Sequence, residues 1–420
     1  MSAIYQQIAT FGKMKSLVMN TVSPKRIITR TIWILSLVSL FTDMASEMLY
    51  PVMPLFLKHI GYGAVFIGVL EGVAEAVAGL SKSYFGKLSD TSRKRLPFVQ
   101  LGYGFSAVSK PMLAIFIYPW WIFLSRTIDR LGKGIRTGAR DAMLSDECTK
   151  ETRGRVFGFH RSMDTMGAVL GPAIALAFLY FYPDDYKTLF LVAFLPGLLA
   201  ILSTMLIKEK KEVHEIASPG KNTRTGFFAF AGYWKKSPPQ YRKLVTGLLL
   251  FALFNSSDVF LLLKMKESGL SDTAVIGVYI FYNLVFALLA YPLGILADKI
   301  GLKRTFIGGI FVFCLVYVGF AFNNNLVVFL ILFFLYGVYA AATEGVSKAW
   351  ISNITDKRDT ATAIGTYSGF QSICALIAST LCGLLWLYFG ATITFLVTAF
   401  VSLLVIIYLV FYKRTEVIIS

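Results

Sequence analysis

The stretch Gly86-Lys-Leu-Ser-Asp90-Thr-Ser-Arg93-Lys94-Arg95 lies between two apolar runs and reads as a very short, basic loop. The same punctuation returns as Gly294-Ile-Leu-Ala-Asp298-Lys-Ile-Gly301-Leu-Lys303-Arg304. The second glycine and aspartate each follow their counterparts by 208 residues (86 to 294, 90 to 298), about half of the 420-residue chain. A glycine, an aspartate four residues on and a basic cluster, repeated at half-length, mark a duplicated chain. Flanking apolar runs of ~20 residues make it a membrane-spanning one.

Composition agrees. Apolar residues make up 56% of the chain and charged residues only 15%, against roughly 25% charged in soluble domains, and mean hydropathy is +0.65. Apolar runs fall at 31–57, 64–85, 97–117, 119–140, 154–181 and 187–207, then at 243–263, 273–296, 304–322, 326–349, 360–388 and 391–412. They are continuous and lack the alternation of barrel strands, so they are helices. The expected fold is an all-α membrane protein with twelve transmembrane helices in two pseudo-symmetric six-helix bundles, residues 31–207 and 243–412. A basic segment (1–30) precedes them, a basic linker (208–242) joins them, and a short tail (413–420) follows. Pro219, Gly220, Pro238 and Pro239 break the linker, which holds a short amphipathic piece around Phe227–Trp234.

The formal charge of +17 would suggest nucleic acid in a soluble chain. Here no aromatic-basic recognition motif accompanies it. The basic residues gather instead in the N-terminal segment, the 86–96 loop, the linker, the 298–304 loop and Lys413-Arg414. The alternate loops, at 58–63, 118–119, 183–187, 264–272, 323–325 and 389–390, carry few. By the positive-inside rule both termini are cytoplasmic, in a bacterial inner membrane. The first apolar run is long and lacks a small-residue cleavage site, so it is read as a retained helix and not as a signal peptide. Cys148, Cys314, Cys374 and Cys382 are too few and scattered for a disulfide framework. No Cys/His spacing suits a metal, and no cofactor is expected.

Ionisable groups inside spans are costly and default to functional roles. The first span carries Asp43 and Glu47, the second Glu71 and Glu75, each pair one turn apart on one helix face. Because the two spans run antiparallel, Asp43 and Glu75 fall near the midplane. The fourth span offers Arg126, Asp129, Arg130 and Lys133, then Arg136, Arg140 and Asp141; the fifth offers Arg153, Arg155, His160, Arg161 and Asp164. Opposite charges at similar depth predict a buried ion-pair network. Burial and a nearby arginine act oppositely on a carboxyl's proton, which makes Asp43, Glu47 and Glu75 candidates for proton coupling. The alternative is a permanent ion-pair lock. Arg126 and Arg130, one turn apart, suit gripping a carboxylate or phosphate, unless Asp43, Glu47 or Asp129 neutralises them. Lys110 reads as a snorkelling or packing lysine, and His160 as a gating residue.

Gly167-x-x-x-Gly171-Pro172 permits close helix approach and bends its span. Asp90 and Asp298 can each cap a neighbouring helix N-terminus or pair with arginine, holding one face shut. Arg140 and Arg155 are the expected partners, Arg93 belongs to the same basic cluster, and Gly86 and Gly294 allow close approach.

The repeated Gly-x-x-x-Asp…Arg/Lys loop, after the second span and again after the eighth, resembles that of the major facilitator superfamily of secondary transporters. The first copy lacks the glycine that the second keeps as Gly301. The resemblance covers the whole chain. It implies that spans one, four, seven and ten line a central cavity, with Asp43, Glu47, Arg126, Asp129 and Arg130 on one wall and Asn255, Asp258, Glu344 and Lys348 on the other. Gly167–Pro172 is similar to an element of exporters and antiporters, although its further glycine pair is absent around Ile174. Ser46-Glu47-Met48-x-Tyr50-Pro51, Gly132-Lys133-Gly134-Ile135-Arg136 and Arg153-Gly-Arg-x-Phe-Gly-Phe-His160-Arg-x-Met-Asp164 resemble a poorly characterised prokaryotic branch. Some relatives of that branch are associated with iron or carboxylate-siderophore handling.

The resemblance implies a secondary transporter working by alternating access; the arginine-rich cavity spans point to a small polar, anionic solute, the buried carboxylates to proton coupling, and the paired six-helix bundles to a functional monomer. Two other readings are a proton-antiporting exporter of drugs or metabolites and a non-transporting membrane sensor. No P-loop spacing is present, since Gly132–Gly138 lacks it, and no His/Asp or Ser-based constellation for an intramembrane enzyme appears.

Overall fold

The computed structural model describes residues 27–50, 52–62, 64–207 and 229–411. The N-terminal segment before residue 27, the linker up to residue 228 and the C-terminal tail lie outside the described residues, as do the side chains of Glu71 and Glu75.

The first bundle comprises α1 (Arg30–Leu49), continued by the short α2 (Met53–His59), then α3 (Ala64–Ser92), α4 (Leu96–Ile115), α5 (Pro119–Asp146), α6 (Arg153–Phe181) and α7 (Tyr186–Thr204). A short helix, α8 (Ala229–Lys236), precedes the second bundle. That bundle comprises α9 (Pro239–Ala252) continued by α10 (Val259–Glu267), then α11 (Asp272–Ile300), α12 (Leu302–Phe322), α13 (Leu326–Ile354) and the long α14 (Thr360–Phe411). Gly390, at φ 79°, folds α14 into two arms, so each bundle has six spans and the fold has twelve. By length and composition seven of the described helices are apolar enough to cross a membrane. The charged α5 falls short of that measure because Arg126, Asp129, Arg130 and Lys133 sit within it. Leu387, Phe400, Phe181 and similar residues stand exposed around the outside, as a lipid-facing surface requires.

Two spans differ from the sequence expectation. The first was expected as one helix over 31–57, but α1 stops at Leu49 and α2 restarts at Met53. The sequence carries a proline between the two helices, a residue with no N–H to donate to a helical ladder. The seventh was expected as one helix over 243–263, but Phe254-Asn255-Ser256-Ser257-Asp258 separates α9 from α10. Short polar side chains compete for backbone partners and favour such a break. The Ser257 N–H finds the Ser379 hydroxyl of α14 at 3.3 Å.

The bundles meet along two seams, α6 against α11 and α3 against α14. Glycine makes both possible. A Cβ on Gly154 would meet the Gly294 carbonyl at 2.7 Å, and one on Gly86 would meet the Ala361 carbonyl at 2.5 Å. Gly167 and Gly171 press instead on α1, inside the first bundle, within a helix that runs on through Pro172. The two repeat loops turn by different residues. Gly301 takes φ 100° between α11 and α12, whereas Arg93 takes the left-handed conformation, at φ 54°, in the first copy. The missing glycine is thus replaced by a strained arginine.

Both seams lie toward the face that carries the 86–95 and 301 turns, here called the basic face. Every described interbundle hydrogen bond, the deepest being from Ser162 to the Ala287 carbonyl, lies on that side of the seam. The basic face is shut. Gly294→Val has no room in this closed seam and is expected to raise maleimide labelling of a cysteine placed at Ser352 several-fold, in a Cys148→Ser background. Gly277→Val, where a Cβ meets nothing, should leave labelling unchanged. Equal labelling in both variants would contradict the seam.

Candidate functional site

Two carboxylates bind the bundles crosswise at the basic face. Asp298 of α11 accepts the Gly154 N–H at 2.7 Å and the Arg155 N–H at 3.0 Å, with the Arg155 Nε at 3.3 Å. Asp90 of α3 accepts the N–H and the hydroxyl of Thr362, both at 2.7 Å, at the start of α14. Each repeat therefore caps a helix N-terminus of the other bundle, where a negative charge is favoured. Arg95 lies 3.4 Å from Asp90, contacts Asp146 and donates to the Lys357 carbonyl at 3.0 Å. Arg155 thus joins its loop carboxylate, but Arg140, the other expected partner, lies deeper, and Arg93 is an exposed turn residue. Arg153 adds a bond to Asn353 at 2.8 Å and another to the Ser352 carbonyl.

Deeper in the seam six charges alternate in a ring. Lys348 meets Asp141 at 2.7 Å, and the other Asp141 oxygen takes the Arg140 Nη2 and Nε at 2.9 and 3.0 Å. Arg140 lies 3.8 Å from Asp164, Asp164 takes Arg161 at 2.6 Å, and Arg161 also contacts Glu344. Glu344 and Lys348 are one turn apart on α13, so the run of charges, called the ring below, begins and ends on the same helix. It balances three cations of α5, α6 and α13 against three carboxylates of the same helices. A cavity of about 20 Å³ lies among these residues and His160, enough for one water. His160 is buried, with neither ring nitrogen hydrogen-bonded.

The ring touches the first wall of the cavity through Asp164. Ser39 of α1 donates to Asp164 and accepts from Arg140 at 3.1 Å. One turn on, Asp43 is near enough to Asp164 for the two carboxyls to act on each other, with Lys133 and Arg136 as its cationic neighbours. Glu47 faces Lys133, Arg130 and Arg126. Asp129 accepts from Lys110 at 2.7 Å and from Ser106 at 2.6 Å, with Arg126 at 3.9 Å. Lys110 also reaches the Ser46 hydroxyl at 3.1 Å. Lys110 is therefore a buried ion-pair partner, and not the snorkelling lysine that its place in the sequence suggested.

On the second wall, the break between α9 and α10 presents Asn255 and Asp258. Asn255 donates to the Tyr339 hydroxyl at 2.9 Å, and Asp258 accepts from the Tyr336 hydroxyl at 2.6 Å. The rings of Tyr282 and Tyr339 stand 5.0 and 5.2 Å from that of Tyr336. Glu344 and Lys348, expected on this wall, are drawn into the ring. Sequence reasoning counted Asp141 among the charges of its span without giving it a partner, and did not single out Ser39, Thr362 or these tyrosines. Tyr336, Tyr339 and Thr343, at i, i+3 and i+7, share the α13 face that carries Glu344, and that pattern was the available signal.

Such an arrangement is that of a multi-pass membrane protein built of two halves that meet on one face, and comparison with known proteins gives its class. The chain matches the family model described as Major Facilitator Superfamily over residues 35–281 and 259–418, and it belongs to that superfamily. It is a secondary transporter, and not an enzyme. It is 32% identical over 367 residues to an uncharacterized MFS-type transporter of Methanocaldococcus jannaschii, covering 86% of this chain and 89% of that one. Among solved structures, the human organic anion transporter MFSD10 superposes with a TM-score of 0.75 at 15% identity, over 92% of this chain and 100% of that one. The Escherichia coli fucose:proton symporter FucP does so with a TM-score of 0.75 at 12% identity, over 93% and 100%. At these identities the two structures speak for the fold.

Asp90 lies beyond the apolar part of its span. Burial pushes its carboxyl up to about 6, against the opposite pull of Arg95 and the Thr362 bonds, while Asp359 adds to the rise. When the face opens, Asp90 returns to the ordinary carboxylate range, so the closed face binds the proton more tightly. Closure is strengthened as pH falls from about 6 toward about 4, and this increment is lost as pH rises through about 6. Distances between labels at Lys94 and Arg358 should shift toward the closed value between about pH 7 and about pH 5. Asp90→Asn should flatten that response; an unchanged response would remove Asp90 from it.

Proposed function

We propose that this protein moves a small polar, anionic solute by alternating access, coupled to protons through Asp43. The observation that carries this reading is the Asp43 carboxyl beside Asp164, which is itself a member of the interbundle ring. Two adjacent carboxyls in a buried site coexist when one holds a proton and donates it to the other. Loss of that proton sets two anions side by side. Arg161 and Arg140 are then drawn toward the pair, and the hold of Arg161 on Glu344 weakens. Proton release and opening of the basic face become one event.

The basic face is the cytoplasmic one by the charge of its loops, so the closed seam belongs to a conformation reached from outside. Arg126 and Arg130 are the anchors for the anionic group, with bidentate geometry suited to carboxylate. Asn255 and Asp258, at the broken span, are the candidates for contact from the second bundle, since discontinuous helices build the sites of other transporter folds. Proteins named as an organic anion transporter and a fucose:proton symporter share this fold, so the scaffold accommodates both halves of the reading. Carboxylate siderophores are one chemical class within it.

A metabolite comparison between a deletion strain and its parent, with and without iron limitation, identifies the cargo and its direction. In proteoliposomes carrying that cargo, Asp43→Asn is expected to lower accumulation driven by a pH gradient at least tenfold while sparing cargo exchange. Glu47→Gln tests the second carboxyl in the same way. Normal gradient-driven accumulation in both variants would end the coupling assignment. Glu344→Gln, which removes the partner of Arg161, should increase labelling of the Ser352 cysteine without abolishing coupling.

A further inference from the structure

We infer that Asp258 and its tyrosines receive an amine, so that the transported solute carries a cationic amino group as well as the anionic one; this rests on the transport reading above. The starting point is a charge imbalance. Asp141, Asp164 and Glu344 have cations within the ring, and Asp129 has Lys110. Asp43 and Glu47 face Lys133 and arginines. Asp258 differs: among the described residues no lysine, arginine or histidine pairs with it, and its one side-chain bond is from the Tyr336 hydroxyl. The charged group acting on it is another carboxylate, Glu344, and its remaining neighbours are tyrosines of α11, α12 and α13. Asp258 is half-buried, and a carboxylate partly withdrawn from water without a cation is disfavoured, so a positive partner would complete it.

Three features favour an amine over a bare proton. Asp258 stands at the N-cap of α10 yet makes no capping bond, and its carboxylate turns to Tyr336. A proton would neutralise Asp258 and leave its surroundings as they are. Yet one end of the Asn255 amide, as placed its carbonyl, has no partner, whereas the nearby Ser256 hydroxyl has Tyr317 and Cys382 beside it. The Asn255 carbonyl belongs to the same interruption between α9 and α10 as Asp258, and an ammonium has three N–H donors with which to meet such an oxygen. Lastly, Tyr282, Tyr336 and Tyr339 group their rings around the carboxylate, and aromatic faces attract a desolvated cation. Carboxylate, unmet oxygen and aromatic faces together describe an amine receptor.

The test uses the purified full-length protein in nanodiscs and compares probes that differ by one amine: glutamate with glutarate, and 6-aminocaproate with caproate. Binding is read by thermal stabilisation. In the wild type, the amine-bearing member of a pair is expected to bind about tenfold more tightly, the worth of one charge-assisted bond. Asp258→Asn, nearly isosteric, should reduce that ratio to about one. Tyr336→Phe, which keeps the carboxylate, should retain a preference and thereby show that the site remains folded. No amine-dependent stabilisation by either pair, or a preference that survives Asp258→Asn, overturns the inference. If Asp258→Asn instead abolishes gradient-driven accumulation and leaves the amine preference intact, Asp258 is a proton carrier. The amine receptor then fails while proton-coupled transport stands.

Discussion

A charge buried in a membrane protein must find its opposite inside the protein, and this constraint organises the structure. The six-charge ring satisfies it across the bundle seam, so the same contacts that neutralise α5, α6 and α13 also join the two halves. Breaking the seam without a compensating change would strand several charges at once, which is far costlier than losing an apolar contact of similar area. Neutralisation and closure are one property of these residues. That is why, in the proposed cycle, a proton delivered beside Asp164 would act on the arrangement of whole bundles.

The basic face is closed by a second, shallower layer built differently. Asp90 and Asp298 do not chiefly pair with cations; they satisfy backbone N–H groups at the starts of α14 and α6. Such caps need helices to end at one exact depth, which the glycine contacts at Gly86 and Gly154 provide. The layers divide the work: backbone caps set the register of the seam, and side-chain charges make it responsive. His160, in its water-sized cavity beneath the caps, sits where the two layers meet.

Much of this was legible in the sequence, for identifiable reasons. Apolar length gives the spans, loop charge distinguishes the faces, and the repeat at Gly86 and Gly294 marks the duplication, since each depends on local composition. The capping role of Asp90 and Asp298 was foreseen because a carboxylate in a short loop has few other uses. The partners were not, because which helix start faces which loop is a tertiary fact; Thr362 carries no mark in its own neighbourhood. Lys110 looked like a snorkelling lysine because its counter-ion, Asp129, is 19 positions away on the next helix. The break at 253–258 escaped because its flanks are strongly apolar and no glycine or proline announces it. Asn-Ser-Ser-Asp was the signal, and it is weaker than proline.

The ring has one further consequence. Its three cations and three carboxylates sum to zero, so parting or reforming it carries no net charge through the membrane field, which acts at roughly 2.3 kcal/mol per elementary charge per 100 mV. A voltage dependence of gating would therefore have to come from ring members moving unequal distances through the field or from charges outside the ring, such as the Arg126–Lys133 stretch of α5.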